Sequence, residues 1–290
     1  MSQGKKVTIA SDGQASMLLK EEFPSVDHLT LPSYNVTYRG STLWSIVLMN
    51  VPNVLRAIIA ENHVAMRILK NNNYDMIISD SRFGFRHSKV PSYIITHQLD
   101  LQSNNRLMYW ALNYLNQKLL NAFDLCIVPD YDDSRLSGRL SQSSKIKKKI
   151  YIGALSRLKK LKLPILYNKA YILSGPEPAR TSLENQILEK IQSTEEKTVL
   201  VRGTNRSLEP RHYNPNITIL GLVKADMLNR IILQSHIVVS RSGYTSIMDY
   251  YTLSKKALLI PTPGQSEQEY LAQYLDGKYG MIRLTNDRLL

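Results

Sequence analysis

Short apolar runs punctuate this chain at Val7–Ala10, Leu29–Leu31, Met76–Ser79, Tyr93–Thr96, Leu125–Val128 and Ile150–Ile152. Each is strand-sized and apolar at consecutive positions, the pattern of a parallel strand buried on both faces. Amphipathic stretches alternate with them, including Ala15–Glu22, Asn53–Lys70 and Leu107–Phe123. Strands alternating with helices predict a doubly wound parallel sheet. A Lys/Leu-rich connection follows Gly153, and a second strand–helix series begins at Ala170-Tyr171-Ile172-Leu173. The pattern therefore predicts two domains, 1–160 and 161–290, joined near Arg157 to Pro164.

The second series is the more informative. Ile237–Val239 reads as a buried strand that breaks at Ser240-Arg241-Ser242-Gly243, and a helix then carries Asp249. Another strand, Ala257–Ile260, ends in Pro261-Thr262-Pro263-Gly264, and a helix opens with Gln265, Glu267 and Gln268. The polar loops then lie at the carboxyl ends of adjacent strands, where open α/β sheets bind ligands. A Ser/Gly turn at a helix start offers backbone N–H groups to a phosphate. A carboxylate one turn further in can accept hydrogen bonds from the two hydroxyls of a ribose. Together these suggest a sugar nucleotide.

Arg241-Ser242-Gly243, Asp249 six residues beyond the glycine, Pro261 and Gln268 resemble the donor-binding region of GT-B glycosyltransferases, family 28 in particular. That resemblance implies an α/β fold of two Rossmann-like domains facing across a cleft, with the donor bound by the C-terminal one. The acid is usually Glu in that family, and Asp249 is one methylene shorter. Ser242, Gly243 and Tyr244 would bring backbone N–H groups to a diphosphate, with hydroxyl contacts from Thr245 and Ser246. Those two hydroxyls also suit a helix cap. Glu267 and Gln268 stand where relatives grip the donor sugar, and Leu222-Val223 stand where the backbone reads the base.

Ser174-Gly175-Pro176-Glu177-Pro178-Ala179-Arg180 resembles the relatives' first phosphate loop, but its two prolines have no N–H to give. Arg202, after the strand Thr198–Val201, offers a planar fork for a diphosphate, or is a surface arginine. Arg157 and Arg180 match arginines placed to reach phosphate or acceptor. Asp80 and His97, each at the end of a strand in the first half, are the candidate catalytic bases. Relatives begin with a strand, a Gly-rich loop bearing a His, and a helix. Nothing here matches that loop, so the first βα unit of the pattern is expected to be missing.

Composition narrows the partners. With 290 residues and 43% hydrophobic positions, the chain is long enough and apolar enough for two cores. The start passes from two lysines straight into a strand pattern, so no signal peptide is expected, and the expected location is cytoplasmic. The single cysteine, Cys126, excludes a disulfide framework and a cysteine zinc site. The net charge of +13 concentrates at Lys145, Lys147, Lys148, Lys149, Arg157, Lys159, Lys160 and Lys162. A solvated face is the ordinary explanation, and no nucleic-acid motif accompanies the charge. The functional alternative is peripheral contact with an anionic membrane, aided by the apolar stretch Leu43–Met49, which is expected to end at Asn50 before Pro52.

The expected function is transfer of a sugar, with inversion, from a nucleotide-sugar donor (UDP-linked) to a lipid-linked or other glycan acceptor. The nucleotide-sugar is a substrate, and neither a cofactor nor a metal is required. Alternatives within the same fold are a sugar-nucleotide hydrolase or 2-epimerase, or a non-catalytic donor-binding subunit of a two-component glycosyltransferase.

Overall fold

The computed structural model describes residues 4–32, 43–103, 105–204 and 214–284, with backbone alone for residues 14, 43–52 and 71. By contacts the chain divides into two compact units. The first comprises Met1–Thr96, Tyr114–Ile127 and Ser144–Ile150, and the second comprises His97–Asn113, Val128–Ser143 and Tyr151–Leu290. Thus 97–113, 128–143 and 151–160 pack with the carboxyl-terminal half of the chain.

The second unit holds a six-stranded parallel sheet of β7 (Tyr167–Ile172), β8 (Thr198–Val201), β9 (Ile217–Leu220), β10 (Ser235–Arg241), β11 (Ala257–Ile260) and β12 (Met281–Arg283). The spatial order is β12-β11-β10-β7-β8-β9. Counting from β7, that is the 3-2-1-4-5-6 order of a doubly wound nucleotide-binding sheet. The strands are apolar at consecutive positions because both faces are covered. Ala170, Val199, Val238 and Leu259 face one cluster with Ile231, Ile247 and Leu271. Their neighbours Tyr171, Leu200, Val239 and Ile260 face the other, with Leu183 and Ile187. Those partners come from helices α5 (Ala225–Leu233), α6 (Tyr244–Leu253) and α7 (Ser266–Tyr274) on one side and α4 (Ala179–Ile191) on the other. The reversal of strand order falls between β7 and β10, which pair in register from Ser235↔Tyr167 to Ser240↔Ile172.

The first unit begins with β1 (Thr8–Ser11), α1 (Gly13–Glu22) and β2 (Asp27–Thr30), in which the two strands pair in parallel. Next comes α2 (Leu43–Asn71), a single helix of 29 residues. The break expected between Asn50 and Pro52 is therefore absent. Pro52 removes one backbone hydrogen bond, but the helix continues through it. The side chains of Leu43–Met49 lie outside the described residues. A second sheet has the order β3-β4-β5-β6, from Ile77–Asp80, Ser92–Ile95, Leu125–Val128 and Lys149–Tyr151. Between β4 and β5 runs α3 (Arg106–Leu120). Cys126 is buried in β5, and loss of solvation pushes its thiol pKa up to about 11.

Arg82, just past β3, joins these parts. It donates to Glu61 of α2, to Asp12 Oδ1 at 2.5 Å and to the Pro32 carbonyl at 2.6 Å. Glu61 is wholly buried and also accepts from the Gly84 N–H at 3.2 Å. Removing one partner of such a pair strands a buried charge, at a cost of about 3–5 kcal/mol. Arg82→Met is expected to lower stability by about that amount. Adding Glu61→Gln should restore more than half of the loss, as measured by chemical denaturation.

Candidate functional site

The loops at the carboxyl ends of β7, β8, β10 and β11 meet where the strand order reverses. After β7, Ser174 and Gly175 are exposed, and Gly175 has φ +107°. Glu177 lies over the first turn of α4, where it accepts from the Thr181 N–H at 3.1 Å and hydroxyl at 2.7 Å. It also accepts from Arg180 at 2.8 and 2.6 Å. Burial alone would raise its pKa, but the bonds from Thr181 and Arg180 hold it below the usual carboxylate range. A protein carboxylate thus occupies the position at which a helix start attracts an anion.

Behind that loop is a buried charge network. Glu184 is 2% exposed and receives Arg180 Nη1 at 2.5 Å together with Arg202 Nε. Arg180 Nη1 also donates to the Arg202 carbonyl at 3.3 Å. The two arginines that the sequence offered to a diphosphate are therefore held by Glu177 and Glu184, and they link the β7 loop to the end of β8. The next residue, Gly203, has φ +66°, and a Cβ there would lie 2.4 Å from the Leu173 carbonyl oxygen. Only glycine allows the two strand ends to approach so closely. Past β9, Leu222 is exposed and Val223 packs against the core.

At the end of β10, Arg241 is 6% exposed and donates to the carbonyls of Pro261 at 2.9 Å and Ala179 at 3.3 Å. Its Nε has no partner, and among the described residues no carboxylate pairs with it. Desolvation lowers its pKa. In the sequence Arg241 stands within the motif but not among the expected site residues. The signal was an arginine in the last position of a strand buried on both faces.

Ser242 donates to the Gln268 carbonyl at 2.8 Å, tying this loop to α7. Gly243 is the N-cap of α6 and makes no side-chain cap bond. Tyr244 is buried, donates to the Pro129 carbonyl at 2.7 Å, and has its phenol pKa raised by burial. Thr245 is exposed and Ser246 half-buried. Asp249, on the same helix, accepts from the Ser156 hydroxyl at 2.5 Å. Burial raises its pKa, while that bond and the charge of Arg157 act in the opposite sense. Ser156 was also missed, because nothing local distinguishes it from other loop serines.

After β11, Gln268 Oε1 accepts from the Thr262 N–H at 3.1 Å and hydroxyl at 2.9 Å, and its amide donates to Gln265 at 2.7 Å. Glu267 points elsewhere. It receives His97 Nε2 at 3.0 Å and the amide of Gln98. The His97 ring stacks on Tyr244 with centroids 3.9 Å apart. Residues 170 positions apart in sequence are thus brought together, whereas Asp80 ends β3 in the first unit. Another carboxylate that the sequence did not flag, Asp130, is fully buried. It accepts from the N–H groups of Tyr131, Leu136 and Ser137 and the hydroxyls of Ser137 and Ser141, fixing the turn at Gly138–Ser141.

The sequence profile described as "Glycosyltransferase family 28 C-terminal domain" matches residues 174–289. No curated protein sequence matches the chain. Solved structures do. The glycotransferase of kitacinnamycin aligns with TM-score 0.68 at 13% identity, covering 99% of this chain and 80% of its own. CalG4, the calicheamicin glycosyltransferase, aligns with TM-score 0.63 at 12% identity, with coverages of 99% and 80%. The spinosyn rhamnosyltransferase SpnG, complexed with thymidine diphosphate, gives 0.60 at 13%, with coverages of 97% and 87%. The chain therefore shares the GT-B fold of these structures, and its residues 174–289 match the family 28 carboxyl-terminal domain.

Two glycines separate close approach from backbone strain alone. Gly264 also has positive φ, at +80°, but nothing lies near its added Cβ. Gly264→Ala should cost about 1–2 kcal/mol, the left-handed penalty. Gly203→Ala should cost clearly more in the same denaturation experiment, because the Leu173 carbonyl must also move.

Proposed function

We propose that this chain transfers a hexosyl group from a UDP-linked sugar, with inversion, to a lipid-linked acceptor. One observation carries the reading: the family-28 segment with Arg241-Ser242-Gly243 and Asp249 falls at the order reversal of the six-stranded sheet, where such sheets bind nucleotides. In this reading the unpaired N–H groups of the first turn of α6 receive the diphosphate, with Ser242, Gly243, Tyr244, Thr245 and Ser246 around it. Asp249 accepts both ribose hydroxyls, and the Ser156 hydroxyl holds that position in their absence. Leu222 and Val223 lie against the base, and Glu267 and Gln268 lie near the sugar. Ser174 and Gly175 border the diphosphate. Arg180 and Arg202 act through Glu177 and Glu184, by fixing the loop, and Arg157 adds positive charge beside Asp249.

His97 is the proposed base. With its Nε2–H directed to Glu267, the lone pair remains on Nδ1, the arrangement by which a carboxylate selects a histidine tautomer. The acceptor hydroxyl loses its proton to Nδ1 as its oxygen bonds to the anomeric carbon. The bond from that carbon to the diphosphate breaks, and its electron pair leaves with UDP. Positive helix-start dipoles stabilise that leaving charge, which is why no metal is invoked. Asp80 serves the acceptor side rather than the base role. The exposed Lys145, Lys147 and Lys148, together with Lys159, Lys160 and Lys162, and the Leu43–Met49 segment are proposed to meet an anionic membrane carrying the acceptor.

Calorimetric titration with UDP, GDP, dTDP and CMP tests the donor class. UDP should bind best, and Asp249→Ala should weaken it about 10- to 100-fold, the worth of hydrogen bonds to a charged acceptor. Preference for dTDP or GDP would overturn the UDP assignment. Because burial raises the Asp249 pKa, the carboxylate is the form lost first on acidification. Affinity should fall as pH drops through that pKa, and Asp249→Asn should abolish that slope.

His97→Ala tests the base. It should leave UDP affinity within about threefold while reducing kcat about 10²- to 10⁴-fold. Equal loss of UDP affinity would instead make His97 a support for Tyr244.

A further inference from the structure

Helix α7 carries Glu267, Tyr270 and Tyr274 three and four residues apart, a spacing that puts them on one face. Glu267 receives His97, and the two tyrosines line an open cavity of ≈ 460 Å³ with Gly138, Arg139, Gln142 and Gln273. Small-molecule sites have volumes of ~300–1,000 Å³. None of these lining residues belongs to the donor site. Both walls nevertheless connect to the segment that bears His97. With the helical rise, Tyr270 stands about 4.5 Å and Tyr274 about 10.5 Å along α7 from Glu267. On the opposite wall, the Leu140 carbonyl accepts from the N–H groups of Leu99 and Asp100 at 2.7 and 3.0 Å.

The chemistry of the lining is selective. The tyrosine rings lie parallel, with centroids 5.8 Å apart and 9° between their planes. Their hydroxyls are tied to the protein: Tyr270 accepts the Arg139 N–H at 2.8 Å, and Tyr274 donates to the Ser134 carbonyl at 3.3 Å. The two rings are thereby fixed as a platform before any ligand arrives, which spares the cost of ordering them. Aromatic faces are negative and attract the polarised C–H groups of a sugar ring. Lys278 Nζ lies 3.8 Å from the Tyr274 centroid and adds positive charge at one end. Among the described residues, the exposed side chains of Arg139, Gln142 and Gln273 make no hydrogen bond. A guanidinium offers five N–H donors and each amide two, against one carbonyl acceptor per amide. No carboxylate lines the cavity. Donors in excess select a ligand rich in acceptors, and a free guanidinium fork suits a carboxylate.

We propose that this cavity binds an acidic sugar, a hexuronic acid residue of the acceptor glycan. The sugar ring lies on Tyr270 and Tyr274, its carboxylate meets Arg139, and its hydroxyls meet Gln142 and Gln273. The assignment to the acceptor rests on the reading of His97 as the base. On that reading the hydroxyl at His97 and the ring on the platform are separated by the step along α7 from Glu267. The acidic sugar is therefore not the unit that is glycosylated but a neighbour of it in the same glycan.

The test titrates the 290-residue chain calorimetrically with an α-1,4-linked galacturonate trimer and with its methyl ester as the neutral counterpart. The acid should bind at least tenfold more tightly than the ester. Arg139→Gln, a change at an exposed side chain, should abolish that difference and leave UDP affinity unchanged. Tyr274→Ala should weaken acid and ester alike, at least tenfold, again with UDP affinity unchanged. UDP binding without trimer binding would overturn this inference alone. Trimer binding without UDP binding would overturn the donor assignment and leave the sugar site standing. Equal binding of acid and ester, or displacement of the trimer by inorganic phosphate at the same ionic strength, would overturn the acidic-sugar assignment. Competition between trimer and UDP would overturn the location, because the cavity lies outside the donor site.

Discussion

The parallel pairing of β10 against β7 is the constraint on which the second unit depends. These two strands are distant in sequence, yet their register sets Ser240 beside Ile172. The chain leaves the sheet immediately afterwards on both, at Ser174-Gly175 and at Ser242-Gly243. Because the sheet is wound outward in both directions from this pair, their loops diverge and leave a crevice. Helices α4 and α6 then start on opposite faces of the sheet, each with its positive end at that crevice. A shift of register by one residue would exchange the two buried faces of β10 and misplace both loops.

The charges around this crevice are mostly satisfied by the protein itself. Glu184 binds Arg180 and Arg202, Glu177 covers the first turn of α4, and Glu267 holds His97. Buried ion pairs contribute little net stability but penalise any arrangement that separates them. Here they fix loops that would otherwise be mobile, since a Pro/Gly-rich loop has no regular hydrogen-bond ladder of its own. Arg241 differs. Among the described residues its buried charge meets two carbonyl oxygens and no carboxylate, which puts one positive charge without an ion-pair partner in the floor of the crevice. An anion is the ligand that such a floor favours.

In the first unit the same logic operates with one arginine. Arg82 links the start of α1, the segment just past β2 and the middle of α2 to the end of β3, so one side chain ties together elements of both sheets of that unit. Asp12 and Asp80 flank it at the strand ends, each where a doubly wound sheet presents functional groups.

The sequence by itself determined the strands, the helices and the class of fold, because consecutive apolar positions and amphipathic periods report burial directly. It also placed the loops of the six-stranded sheet, and set Asp249 on the helix that follows Ser242-Gly243, through an apolar run, a Ser/Gly break and a helix-like stretch in succession. It could not show that Arg180 and Arg202 are held by Glu177 and Glu184, nor that Glu267 reaches His97 rather than turning toward Gln268. Those pairings join residues from different elements, and no local pattern encodes which of several arginines finds a given carboxylate. The expected break before Pro52 failed for a related reason: a proline weakens a helix by one hydrogen bond, and the rest of the helix decides whether it ends. Only the tertiary structure revealed that, among the described residues, β1 and β3 each leave one edge unpaired, because the pairing of an edge is a property of its neighbours and not of the strand itself.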